Sequence, residues 1–412
     1  MSAIAGQGRH EDGRRLALSY ATLKRGTLWL LAACSGFALI EPSPYELVFL
    51  LVLFVFALTG IRFSQKLIPL ALLLLVYNLG GAFSLIPFMD EPPSVRFTAV
   101  SVYLMVTCIV VAAIMAEDPL GRLETIQRGW LFAAWCAGLA GILGYFNVGG
   151  LGGIFALHGR ASGTFKDPNV LGPFLVFPIV VLLQAVLIGR LGLLRGMALM
   201  SVPLLALFLS FSRGAWGNLV VTSLMMTGLT FLTAPNSRQR TRIVLLALVA
   251  LVAAIAALMI ALSFETIRSV FEVRASLEQP YDQGVTGRFG SQLRSISLLL
   301  DHPNGLGPLR FRWHFPEDPH NVYVNAFASY GWLGGFGYLA LIAATCLAGW
   351  TLVLRRTPWQ APAIAIWSAL FVTILQGIQI DTDHWRHFYL LLGLIWGLAA
   401  LRPDHPPRAR GG

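Results

Sequence analysis

Apolar residues run through this chain in repeated stretches of about 20, each long enough to cross a bilayer as a helix. Twelve such runs stand out: 27–40, 45–61, 67–89, 98–115, 130–148, 170–189, 196–211, 214–233, 243–264, 321–354, 362–380 and 388–401. The first is short and the tenth is long, so the tenth is expected to tilt or to lie partly in the interface. Most breaks between runs are brief. The exception is 265–320, between the ninth and tenth runs, and a second break of some size covers about 149–169. The pattern predicts an all-α polytopic membrane protein, one membrane domain over 1–412, with about 12 transmembrane helices and one large loop between helices 9 and 10.

Composition agrees and excludes a soluble domain. Of 412 residues, 56% are hydrophobic and only 12% charged, and mean hydropathy is +0.69; a soluble chain of this size carries about twice that charge. All four cysteines (Cys34, Cys108, Cys136 and Cys346) fall inside apolar runs. That placement reads as small packing residues, with neither a disulfide pair nor metal-ligand spacing.

Charge supplies the orientation. With the N-terminus in the cytoplasm, the cytoplasmic segments hold 19 of the 30 basic residues against 6 of the 20 acids. That asymmetry is the positive-inside signature. It places the tails 1–26 and 402–412 in the cytoplasm and makes the 265–320 loop periplasmic. The net charge of +10 is then topological. Scattered over short loops, it offers no nucleic-acid surface.

The candidate chemistry gathers on the outer face. Six of the eight histidines fall there, among them His158, His302, His314 and His320, with Arg160, Lys166, Arg213, Arg288, Arg294, Arg310, Arg312 and Arg386. Arginines collected without obvious metal ligands point to an anionic substrate, because the guanidinium fork matches phosphate oxygens. Taken singly, Arg213 also reads as a snorkelling arginine, and His320 as a residue at a helix start capped by Asp318 or Asn321. The segment 379–391 holds Asp381, Asp383, His384 and His387. These allow a divalent-metal site or a loop docked through Arg386, and no catalytic residue is assigned there.

Four ordered motifs resemble the O-antigen ligase and O-antigen polymerase superfamily of bacterial envelope glycan assembly. They are RASGTFKDPNVLGPFL (160–175), SFSRGAW (210–216), TGRFGSQLRSISLLLDHPNGLGP (286–308) and HNVYVNAFASYGWLGG (320–335). The resemblance covers roughly 150–345. Ten residues separate His320 from Gly331, which matches a spacing of the ligases; the three between Arg294 and Leu298 match another.

That resemblance implies a metal-independent, cofactor-free glycosyltransferase of the bacterial inner membrane, with both termini cytoplasmic and its site periplasmic. Its donor would be a glycan on undecaprenyl pyrophosphate. A ligase passes the glycan to lipid A–core; a polymerase of O-antigen or exopolysaccharide passes it to another lipid-linked glycan. Membrane lipids are the remaining partners expected. Arg213 and Arg288 match the arginines that hold the pyrophosphate, Arg160 matches a further substrate-binding arginine, and His320 matches the catalytic histidine that activates the acceptor hydroxyl. Fixed cations stabilise a departing pyrophosphate, and a neutral imidazole suits a general base near neutral pH. A transporter or lipid-linked-glycan flippase is the rival of another class. Ion-driven carriers place ionisable groups in mid-span, whereas here the main polar exceptions are Asn78, Gln184, Asn218 and Gln376.

Overall fold

Proline and glycine set the limits of the helices. Proline occupies the first turn of several of them, where its missing N–H costs nothing. In the computed structural model, which describes residues 20–275, 284 and 287–401, the helices are α1 (20–34), α2 (Pro44–Thr59), α3 (Ile68–Leu85), α4 (Pro92–Met115) and α5 (Pro119–Tyr145). There follow the single turn α6 (Gly152–Phe155), then α7 (Pro168–Leu187), α8 (Leu193–Leu209), α9 (Arg213–Thr233) and α10 (Ser237–Leu262). The rest are α11 (Glu265–Ala275), α12 (Arg288–Leu300), α13 (Val322–Leu354), α14 (Gln360–Gln376) and α15 (Arg386–Ala399). The expected tails over 1–19 and 402–412, and most of 276–286, lie outside the described residues.

Each apolar run carries a helix. Among the described residues, seven helical stretches are long and apolar enough to cross a membrane, and α2, α8, α14 and α15 are shorter apolar helices. The first run differs from expectation: α1 begins at 20, inside the polar segment, and ends at 34. One departure from an all-helical chain occurs in the 149–169 segment. There β1 (Ala156–Leu157) pairs antiparallel with β2 (Arg160–Ala161). Its two-residue turn, His158–Gly159, has φ of 51° and 70°, the left-handed pair that hairpin twist demands.

Exposure identifies the solvent. Helix α10 has the highest mean hydropathy of the spanning candidates, 3.2, yet only 6% of its apolar window is buried. A helix apolar on every side and uncovered by protein is stable only in hydrocarbon. Deeper in, α3 packs along α13, α4 along α15, and α7 against α8, α9 and α14. Of the mid-span polar side chains, Gln184, Asn218 and Gln376 are used between helices, and Asn78 donates within α3 to the Leu74 carbonyl. Asn218 donates to Gln376 at 2.7 Å, and Gln184 donates to the Ala361 carbonyl at 2.8 Å. These bonds tie the helices to one another.

The long tenth run is one helix broken at a single residue. Gly331, with φ 65° and ψ −167°, interrupts α13. Its break lets the outer loop dock: Trp332 N–H donates to the Pro303 carbonyl at 2.8 Å, and Leu306 N–H to that of Ala328 at 2.7 Å. The loop also has a small core of its own in Leu299, Leu306, Phe311 and Phe315. Leu299 and Phe311 are buried in it, whereas Phe289 and Trp313 stay exposed.

A Cβ at 331 would stand 2.5 Å from the Pro303 carbonyl oxygen, in a backbone conformation that itself costs roughly 1–3 kcal/mol for a side chain. Gly331→Ala should lower the melting temperature in detergent by several degrees. Gly217→Ala, where a Cβ meets nothing within 4 Å, should leave it unchanged. Equal melting of the two variants would mean that the loop is not docked at the break.

Candidate active site

The last carbonyls of a helix have no partner within it. At the C-terminal end of α14 the chain's own next residues meet them, and donors from α12 and α13 add to these at Ile374, Gly377 and Gln379. Tyr323 hydroxyl donates to the Ile374 carbonyl at 2.8 Å, Val322 N–H to that of Gly377 at 2.8 Å, and Arg288 Nη1 to that of Gln379 at 3.3 Å. The start of α9 closes the same end. Gly214 has no Cβ because the Gln376 amide nitrogen would lie 2.9 Å from it. The N-termini of α9, α12 and α13 thus surround one helix end, and each carries partial positive charge.

This arrangement brings the predicted residues together. Arg213 is the first residue of α9, behind the Ser212 cap, whose side chain accepts from Ala215 N–H. Arg288 is the first residue of α12 and lies 4.8 Å over the Phe289 ring. One turn along the same face, Gln292 donates to the Pro319 carbonyl at 2.7 Å and accepts from the Asn321 amide at 3.4 Å. Those two contacts flank His320 and set it beside Arg288. Arg160 joins from the hairpin: its Nε donates to the Ser210 carbonyl at 2.8 Å and its Nη2 to the Asn169 side chain at 2.7 Å. It thereby ties the 160–169 segment to the turn that precedes Arg213.

Asn321 is the residue that caps α13, accepting from Tyr323 and Val324 N–H. His320 is left for another role. Its φ of 43° lies in the left-handed region, where a non-glycine residue stores strain of roughly 1–3 kcal/mol and often marks a working site. The turn is held by Asp381, whose carboxylate accepts from the backbone N–H of Asn321 at 3.1 Å and from that of His320. Burial and the neighbouring Asp383 push the Asp381 carboxyl well above the usual carboxylate range.

Sequence reasoning left Asp381 without a part. Its signal was an acid on the outer face opposite the apolar start of α13, which gains meaning only when the chain brings 381 to 321. Docking of this loop through Arg386, as the sequence allowed, takes another form. Arg386 pairs with Glu46 of α2, Nε to carboxylate 2.8 Å. Asp383 instead stands 3.1 Å from His384 Nδ1, which stacks on Phe97. Among the described residues no three His, Cys, Asp or Glu side chains are placed to share a metal ion.

The outer cations sort by partner. Lys166 pairs with Glu41, Arg310 with Glu91 and Arg312 with Asp318; Lys166, Arg310 and Arg386 thus tie separate segments of the outer face together, while Arg312 pairs within the outer loop. Arg294 lies 5.5 Å over the Phe315 ring, within the core of the outer loop. His314 is exposed on that loop.

Compared with known families, residues 196–339 match the family described as O-antigen ligase. The matched stretch contains Arg213, Arg288 and His320, while Arg160 and Asp381 lie outside it. No curated protein matches the chain.

Burial first, then the Arg288 charge, lowers the His320 pKa below the usual imidazole value of about 6.5, against the opposing pull of Asp318. In protein labelled with ¹⁵N-histidine, the signal lost in His320→Gln should titrate below about 6.5. Arg288→Gln should move its midpoint upward, because a charge that disfavours the imidazolium has gone. An unmoved midpoint would separate the two side chains.

Proposed function

We propose, since this chain belongs to the O-antigen ligase superfamily through residues 196–339, that it transfers a glycan from undecaprenyl pyrophosphate to an acceptor hydroxyl, with lipid A–core as the acceptor. The site opens on the periplasmic face of the bacterial inner membrane, with the 265–320 loop carrying part of it and both termini in the cytoplasm. One observation carries this reading. Two arginines at helix N-termini and a strained, pKa-lowered histidine meet around the end of α14.

In the proposed step the acceptor oxygen attacks the anomeric carbon of the lipid-linked sugar. The bond from that carbon to the phosphate oxygen breaks, and its electron pair leaves with the lipid pyrophosphate. His320 takes the acceptor proton, and its lowered pKa keeps the ring neutral and able to do so at pH 7. Arg213 and Arg288, each leading a helix, hold the pyrophosphate as its negative charge grows. Fixed dipoles and guanidinium groups there need little reorganisation. Arg160 positions the turn before Arg213, and Asp381 positions His320. The cytoplasm-facing excess of basic residues supports the assigned orientation.

Reconstitution with lipid-linked glycan and lipid A–core tests both the activity and the acceptor. His320→Ala should insert normally and lose about 10²–10⁴-fold in turnover. Arg213→Lys and Arg288→Lys should each lose roughly 30- to 1000-fold, because lysine lacks the bidentate fork. His314→Ala should keep wild-type rates, and a chelator should change nothing. Glycan lengthened on the carrier lipid alone would make the protein a polymerase. Glycan moved across the membrane unchanged would make it a flippase.

A further inference from the structure

The ends of α13, α14 and α15 opposite His320 enclose a second cleft. It has a volume of about 320 Å³, and Lys66, Leu347, Arg355, Thr357, Trp359 and Trp396 are among its lining residues. Lys66 comes from the short turn before α3, Arg355 follows α13, and Trp359 caps the start of α14. Lys66 and Arg355 are exposed, and neither has an ion-pair partner among the described residues. That sets them apart from Lys166, Arg310, Arg312 and Arg386 on the outer face, which are tied to carboxylates.

The cleft also holds donors with no acceptor. Trp359 is only 5% exposed, yet its indole N–H makes no hydrogen bond, and the same holds for the Thr357 hydroxyl. Leaving such buried groups unpaired is destabilising. By contrast, Trp396 donates to Thr345 at 3.0 Å and is satisfied within the bundle. A cleft lined by two cations, an indole N–H and a hydroxyl at its polar edge, with leucines and tryptophan ring faces as walls, has the chemistry of an anionic amphiphile. We propose that it binds one anionic phospholipid, whose headgroup phosphate lies between Lys66 and Arg355 and accepts from Trp359 and Thr357. One acyl chain follows the exposed side chain of Leu347 into the bilayer.

A free phosphate would use the cations alone and leave the apolar walls uncovered, so the structure favours the lipid. By the charge asymmetry of the chain this is the cytoplasmic end, where anionic lipids attract basic side chains by about fivefold per residue. The bound lipid would brace the ends of three helices, of which α13 and α14 meet the catalytic site at their other ends. The lipid site itself does not depend on the glycosyl-transfer reading.

Native mass spectrometry of the full chain, released from nanodiscs that contain phosphatidylglycerol and phosphatidylcholine in equal amounts, tests it. Wild type should retain one phosphatidylglycerol. The Lys66→Gln/Arg355→Gln double variant should bind that lipid about 30-fold more weakly, with an unchanged melting temperature in lipid-free detergent. Trp359→Phe, which keeps the ring and removes the donor, should weaken it about fivefold. Retention of phosphatidylcholine to the same extent by wild type would overturn the proposal without recourse to any variant. Undiminished retention by the double variant would overturn it too, and displacement of the lipid by millimolar inorganic phosphate would reassign the cations to a free anion.

Discussion

Helix α14 ends with carbonyls that accept from neighbouring helices as well as from their own chain, and these contacts organise the site. In a membrane every such group must find a protein donor or reach the aqueous edge. Here the donors are Tyr323, Val322 and Arg288, and each belongs to an element that begins where α14 stops. These bonds gather the N-termini of α12 and α13, the close approach of Gly214 to Gln376 adds that of α9, and with them come the positive ends of three dipoles. The arginines at the heads of α9 and α12 come with them. A place suited to a pyrophosphate follows from hydrogen bonding before any question of substrate arises.

The histidine is brought in by the same contacts. Between the Pro319 carbonyl, held by Gln292, and the Asn321 cap there is one residue to spare. The chain turns through a left-handed conformation at His320 to join them, and Asp381 holds the backbone N–H groups that this turn exposes. Burial and the adjacent guanidinium then keep the imidazole neutral. Upstream, the Gly331 break docks the 303–306 turn on α13. That contact adds to those of Arg310 with Glu91 and Arg288 with Gln379 in seating the loop.

How much of this was legible in the chain differs by feature. Apolar runs reveal helices because a lipid-facing helix must be apolar all round, and α10 shows that requirement plainly. The four ordered motifs pointed to Arg213, Arg288 and His320, since the elements that converge are close enough in sequence for their order to be read. What stayed hidden depends on long-range pairing. Arg310 and Arg386 looked equivalent to Arg213 in sequence, yet Glu91 and Glu46 claim them from more than two hundred residues away. Asp381 meets Asn321 across 60 residues, and no local pattern announces that contact. The two-residue strands of the hairpin are too short for any alternation to show.

Substrate geometry tests the account most directly. A cryo-EM map of the full chain in nanodiscs, with a lipid-pyrophosphate-linked glycan trapped by His320→Ala, would show where the diphosphate rests. The account predicts it within hydrogen-bonding distance of both Arg213 and Arg288, beside the C-terminal end of α14, with the anomeric carbon facing position 320. Density for the diphosphate at Lys166 and Arg386 instead, away from both of those arginines, would contradict it.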